Sequence, residues 1–182
     1  MIELLRRFVR RVAGPSMVLG GVTYIVIWSY WASLPPHVDG EVKPGGQVFD
    51  ALNVTAVVLL LIGLTGAHHM QSGRTRTAAA TSLASLWIGA CMMGTYLLFT
   101  GGVMALLIGL TVLCFVWFRA RVLPPSAIVF FVVGLLLFPC MNPDDRRALF
   151  ALPLGASWIW LGYVVWRHAN HPVSPTSSNH GG

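Results

Sequence analysis

Long apolar runs alternate with short polar segments along almost the whole chain. A helix that crosses a bilayer needs about 20 mostly apolar residues, and roughly 17 suffice. The runs that approach or exceed this length are 12–34, 48–69, 78–98, 102–118, 126–141 and 148–166. Every gap but the first is only a few residues long, so consecutive helices should be antiparallel neighbours. The pattern therefore predicts an all-α integral membrane protein, a compact bundle of six transmembrane helices.

Proline, glycine and polar residues mark the limits of this predicted bundle. Gly14-Pro15 fits the first turn of the first transmembrane helix, and Pro35-Pro36 fits its end. Residues 1–167 are expected to form a single transmembrane domain. The remaining segment, 168–182, is rich in Ser, Pro, Asn and Gly, a composition typical of a disordered tail.

The charged residues predict how the helices are oriented. Nine of the 12 Lys and Arg residues lie before the first run or after the second, fourth and sixth runs. Five of the six acids lie with Lys43, Arg146 and Arg147 in the alternate gaps or, for Asp50, just inside the run that follows the first gap. Short Arg-rich loops remain cytoplasmic because they resist translocation. Both termini, and hence the tail, are therefore predicted to be cytoplasmic.

Overall composition agrees with a membrane location. The chain of 182 residues is 55% hydrophobic and 10% charged, with a mean hydropathy of +0.71, whereas soluble domains carry about 25% charged residues. The Arg residues are dispersed among short loops, so nucleic acid is not an expected partner. The first apolar run has no small-residue cleavage pattern and ends at Trp28, Tyr30 and Trp31. It is therefore predicted to be an uncleaved signal anchor. The chain is expected to be a multi-pass protein of a cell membrane, either a plasma membrane or a prokaryotic-type inner membrane.

Signals of catalysis are sparse. No Asp, Glu, Lys or Arg lies near the middle of any predicted helix, which disfavours an ion-coupled transporter. The sequence contains no nucleophile elbow, zinc-protease motif, P-loop or dinucleotide-binding motif. The chain is therefore more consistent with a non-enzyme than with an enzyme.

Four residues are candidates for binding a cofactor. His68 and His69 close the second apolar run, where one imidazole could be an axial ligand of haem or of a chlorophyll-type pigment. Adjacent residues point about 100° apart on a helix, so these two cannot sandwich one iron. Trp87 and Trp158 lie deep in their runs and offer flat surfaces to a quinone or another planar cofactor. The alternative is an interfacial role for the histidines and helix packing for the tryptophans.

Sulfur atoms recur near the predicted external face. The combination of cysteine and methionine selects Cu(I), although both residue types also serve as ordinary core residues. If the third, fourth and fifth helices are neighbours, these sulfurs could converge on one ion. The candidate metal ligands are Cys91, Met93, Met104, Cys140 and Met141.

Three functions remain open at this point. The first is a non-catalytic accessory or structural subunit of a larger membrane complex, possibly an energy-converting one, which explains the many small residues and the deep tryptophans. The second is a small, self-associating permease or lipid-handling protein. Its passage would be lined by Thr81, Ser82, Ser85, Thr95, Tyr96 and Thr111. The third is a small redox or copper-binding membrane protein. The expected partners are the lipid bilayer and either other membrane subunits or further copies of this chain.

Overall fold

The computed structural model describes residues 2–34, 46–68, 76–93, 99–120, 124–137, 140 and 146–170. The described part is all-helical, as predicted. Its helices are α1 (Ile2–Ser33), α2 (Gly46–His68), α3 (Arg76–Met93), α4 (Phe99–Ala120), α5 (Pro125–Leu137) and α6 (Leu152–Asn170). A short 3₁₀ helix, Arg146–Ala151, leads directly into α6.

Three helical segments are long and apolar enough to cross a membrane. They are Arg11–Ser33, Gly46–His68 and Arg146–Asn170, and they suggest a membrane protein. The apolar stretches Thr77–Met92, Met104–Arg119 and Pro125–Leu137 are shorter, between 10 and 17 residues. The shortest, α5, has 13 residues and is about 20 Å long, against a hydrocarbon core of about 30 Å. Six spans and the orientation of the termini therefore stay predictions.

The start of α1 differs from the expectation. Pro15 was predicted to lie in the first turn of the first helix, but α1 begins at Ile2 and contains Pro15 in its interior. The Arg-rich segment that precedes Pro15 has good helix propensity and extends the helix toward the N-terminus. Helices in membranes tolerate an internal proline because neighbouring groups can satisfy the carbonyl that it leaves without a donor. The Pro15 side chain is exposed, away from the core.

Helix α1 lies between α2 and α6 and packs extensively against both. Helix α5 packs on α6, and α3 packs on α4. The junctions between α2 and α3 and between α4 and α5 are thin by comparison. The described helices therefore form a four-helix group in the order α2, α1, α6, α5, to which the α3–α4 hairpin is joined by few contacts.

The close contact between α1 and α6 depends on two glycine pairs. A Cβ atom placed on Gly14 would lie 2.7 Å from the carbonyl oxygen of Gly162, and one placed on Gly21 would lie 2.7 Å from that of Gly155. Both glycines of each helix are seven residues apart, which is close to two helical turns. Gly14 packs against Gly162 and Gly21 against Gly155, so residue numbers increase along α1 as they decrease along α6, and the two helices are antiparallel.

The same spacing recurs in two further helix pairs. On α1 and α2, a Cβ on Gly20 would meet the carbonyl oxygen of Ala56 at 3.1 Å, and one on Gly63 would meet that of Ala13 at 2.9 Å. On α3 and α4, Gly89 and Gly109 approach the carbonyl oxygens of Gly102 and Ser82. Small residues let helix backbones approach closely in lipid, where van der Waals packing replaces the hydrophobic drive. Seven-residue spacing of small residues is thus the common device of these antiparallel pairs.

Candidate functional site: an apolar groove on helix α6

An open groove of about 740 Å³ runs along the outer side of α6, between α1 and α5. It exists because α1 and α5 both pack against α6 and leave the strip of α6 between them uncovered. Its lining residues are Val18 from α1, Ser126 and Phe130 from α5, and Ala156, Ile159, Trp160 and Tyr163 from α6. The volume falls within the range of about 300–1,000 Å³ that is usual for small-molecule sites.

Aromatic rings form one wall of the groove and continue beyond it. Trp160, Tyr163 and Trp166 follow one another at three-residue intervals, so they share a face of α6. The ring centroids of Trp160 and Tyr163 are 5.8 Å apart, and those of Tyr163 and Trp166 are 6.2 Å apart. Each of the three side chains is between 43% and 44% exposed. This aromatic row is therefore available to a neighbouring molecule.

Contacts between α6 and α5 outside the groove fix the shape of the groove. The Ser157 hydroxyl is fully buried and lies within hydrogen-bond distance of two carbonyl oxygens, that of Pro153 at 2.6 Å and that of Phe130 at 3.0 Å. Trp158 packs edge-on against Phe131, with the ring centroids 4.6 Å apart. These contacts hold α5 against α6, so the Phe130 side of the groove has a defined position relative to Trp160.

The groove can bind but has little with which to catalyse. Ser126 and Tyr163 supply the only hydroxyl groups among its lining residues, and the lining contains no carboxylate, imidazole or thiol. Elsewhere in the described residues, no three His, Cys, Asp or Glu side chains lie together as metal ligands would. The chemistry of the groove is therefore that of recognising an apolar or amphipathic molecule.

The predicted cofactor residues fall in two separate places. The indole N–H of Trp87 on α3 donates to Oγ1 of Thr65 on α2 at 3.3 Å. Thr65 lies one turn before His68, which is buried. Trp158 lies instead in the core between α6 and α5, where it packs on Phe131. Position 69 lies outside the described residues. The structure thus brings Trp87 close to the His68 end of α2 but not to Trp158, and haem, pigment or quinone binding stays a prediction.

The predicted copper ligands are only partly described. Cys91 and Cys140 are exposed, and Met104 is 53% exposed. The side chain of Met93 and the whole of Met141 lie outside the described residues. A Cβ on Gly101 would lie 3.1 Å from the terminal methyl group of Met92, which brings this sulfur-bearing side chain to the start of α4. Copper binding stays a prediction.

The hydroxyl groups that were expected to line a passage mostly bond to their own helices. Thr81 donates to the carbonyl oxygen of Ala78 at 2.9 Å, Ser82 to that of Ala78 at 2.8 Å, and Thr111 to that of Leu107 at 2.7 Å. Ser85 instead reaches across to the carbonyl oxygen of Ala105 on α4, at 3.3 Å. Residues 95 and 96 lie outside the described part of the chain. Hydroxyls used in this way have their donor occupied and retain only their acceptor lone pairs for a polar solute.

The sequence alone did not single out this groove. Its walls come from three helices, and only the packing of α1 and α5 on α6 brings them together. One signal was available, namely the three-residue repeat of aromatic residues at 160, 163 and 166, which marks a single helix face.

No family model matches this chain, and neither a curated protein nor a solved structure is significantly similar to it.

Proposed function

We propose that this chain is a non-enzymatic lipid-binding membrane protein whose groove on α6 holds the hydrocarbon part of one membrane lipid. The observation that carries the proposal is the groove itself, of about 740 Å³, with an aromatic wall and only one non-aromatic hydroxyl in its lining. Binding sites for apolar ligands are concave, mostly apolar and contain few polar groups.

The packing of the small residues within the chain supports the proposal that this protein functions without a partner subunit. The described glycines of α1, α2 and α6 that pack closely do so against other helices of the same chain. The surface that remains consists largely of branched and aromatic side chains suited to lipid tails, such as the α4 stripe Ile108, Val112, Phe115 and Phe118. A polar permease is less well supported, because Thr81, Ser82 and Thr111, which were expected to line its passage, donate their hydroxyl protons to carbonyls of their own helices.

We also propose six membrane spans with cytoplasmic termini in a cell membrane of the prokaryotic inner-membrane type. Antiparallel packing of α1 and α6 brings Arg11 and Arg167 to one end of the bundle. Asp50, at the start of α2, lies at the opposite end, since α2 is antiparallel to α1. Nine arginines lie on the side of the apolar runs that includes Arg11 and Arg167, against Lys43, Arg146 and Arg147 on the other, and this excess supports a cytoplasmic location for that end.

The test of lipid binding is native mass spectrometry of the full chain, released from membranes in a mild detergent. The wild type should retain about one lipid per chain. Two variants should lower this retention: Ala156→Leu, which fills the groove, and Trp160→Ala, which removes its wall. Matched controls are Ala84→Leu on the exposed side of α3 and Phe115→Ala on the exposed side of α4. Equal lipid retention by the groove variants and the controls would refute the proposal.

The second candidate is an accessory subunit of a larger membrane complex, possibly an energy-converting one. The specific observation in its favour is the thin attachment of the α3–α4 hairpin to α2 and α5, which a neighbouring protein packed at these junctions would reinforce. The purification described above distinguishes the two functions. A partner protein present in stoichiometric amount would favour the subunit, whereas the chain alone with a lipid would favour the first proposal.

A further inference from the structure

Two arginines extend the walls of the groove toward the end of the bundle where α1 begins and α6 ends. Arg11 precedes the groove residue Val18 by seven positions, and Arg167 follows the groove residue Trp160 by seven. Seven residues are nearly two helical turns, so each arginine lies on the same face of its helix as the groove residue, about 10 Å further along. Both arginines are exposed.

The packing of α1 on α6 places these arginines at the same level. A Cβ on Gly14 would contact Trp166 Cα at 2.8 Å. Arg11 lies about one turn before Gly14, and Arg167 follows Trp166 directly. The nearest acid in the sequence of α1 is Glu3, eight residues before Arg11, and α6 contains no acid. Two exposed positive charges therefore lie at a similar level, beyond the lining residues Val18 and Tyr163 of the groove.

We infer that the lipid in the groove is an anionic phospholipid, with its acyl chain along Phe130, Trp160 and Tyr163 and its phosphate between Arg11 and Arg167. This inference rests on the proposed function. Guanidinium groups bind phosphate oxygens through paired, charge-assisted hydrogen bonds. Trp166, the member of the aromatic row next to Arg167, suits the level between these two parts, because amphipathic rings favour the boundary between hydrocarbon and headgroups.

An anionic phospholipid is inferred because the apolar groove and the pair of arginines follow one another along the α1–α6 pair. The groove is apolar over its whole described lining except for two hydroxyl groups, and the positive charge begins only beyond it. A free phosphate ion would not occupy the apolar groove, and a neutral lipid would not pair with the two arginines. An amphipathic molecule with a negatively charged head fits both.

The experiment compares two headgroups on the full chain. The protein is reconstituted into nanodiscs that contain equal amounts of phosphatidylglycerol and phosphatidylcholine with the same acyl chains. It is then released into mild detergent, and the bound lipids are counted by native mass spectrometry. We expect the wild type to retain phosphatidylglycerol at least about tenfold over phosphatidylcholine, and Arg11→Gln with Arg167→Gln to reduce that ratio by about tenfold or more.

The controls separate charge from fold and from the groove. Arg119→Gln removes an exposed arginine of α4, outside the groove, and should change the ratio by less than about twofold. Arg11→Lys with Arg167→Lys retains the charges and should retain most of the preference, which tests the inference even if the glutamine pair folds poorly.

Each outcome has a distinct meaning. Equal retention of the two lipids by the wild type, with loss of both in Ala156→Leu, would overturn the anionic headgroup and leave the proposed function standing. A preference that survives the glutamine pair would likewise overturn the arginine site. Lipid retention that no groove variant alters, or a partner protein bound in place of lipid, would overturn the proposed function together with this inference.

Discussion

Gly14 and Gly162 face each other across the central helix pair, and each lies against the other's carbonyl oxygen. A Cβ on Gly14 would be 2.7 Å from the Gly162 oxygen, and a Cβ on Gly162 would be 2.7 Å from the Gly14 oxygen. Real side chains do not approach so closely, so neither position has room even for alanine.

Substitution of Gly162 by alanine should therefore destabilise the protein. Overpacking of a close helix contact costs about 1–3 kcal/mol. The obstructing atoms are the Gly14 carbonyl oxygen, the Val18 nitrogen and Met17 Cβ, none of which can rotate away. Thermal or denaturant unfolding in detergent measures the loss. Gly46→Ala is the matched control, because a Cβ there meets nothing within 4 Å. A loss at Gly162 no larger than that at Gly46 would contradict the close contact.

Trp87 and Thr65 provide a polar link across the thin junction between α2 and α3. Their hydrogen bond, 3.3 Å long, should give a coupling free energy of about 0.6 kcal/mol in a double-mutant cycle with Trp87→Phe and Thr65→Val. Unfolding measurements on the four proteins supply the value. A parallel cycle that pairs Trp87→Phe with Thr111→Val should show no coupling, because Thr111 bonds only to Leu107 of its own helix. Similar values in both cycles would argue against the link.

Ser157 should stabilise the contact of α6 with α5. Its hydroxyl is fully buried and is positioned to bond to carbonyl oxygens of both α6 and α5. Ser157→Ala should therefore lower the free energy of unfolding by about 1 kcal/mol. Thr55→Ala is the control, since the exposed Thr55 hydroxyl donates only to the Ala51 carbonyl of its own helix. A smaller effect for Ser157 than for Thr55 would indicate that the contact between helices contributes little.

The two ends of the bundle should face opposite sides of the membrane. In a chain with Cys91, Cys114 and Cys140 replaced by alanine, Arg11→Cys should react with a membrane-impermeant thiol reagent from the cytoplasmic side. Asp50→Cys should react from the external side. The reason is that α1 and α2 are antiparallel and that arginine is retained on the cytoplasmic side.

Reporter fusions give an independent measure of the same orientation. A reporter fused after Arg167 should read cytoplasmic, and one inserted at Pro44 should read external. A cytoplasmic signal at Pro44, or labelling of both single cysteines from one side, would exclude the proposed orientation.

Much of the helical content could be predicted from the periodic alternation of apolar and polar segments. The second predicted run, 48–69, lies within two residues of α2 at both ends (Gly46–His68). The predicted boundaries were least accurate where a local signal competed with helix continuity. Pro15 is a common first-turn residue, yet α1 continues through it because the arginine-rich segment before it is itself helical.

The sequence by itself determined that the described residues are helical and largely apolar, and that most arginines precede the first apolar run or follow the second, fourth and sixth. These properties depend on composition and on the order of residues along each helix. Only the tertiary structure decided that α1 and α6 form the central pair, because that depends on which of several glycine stripes pair. The groove also required it, since Val18, Phe130 and Trp160 are far apart in sequence and meet only when α1 and α5 pack on the same helix. In lipid, helices associate according to how well their surfaces fit together. The fit between two helices that are distant in sequence cannot be predicted from either helix alone.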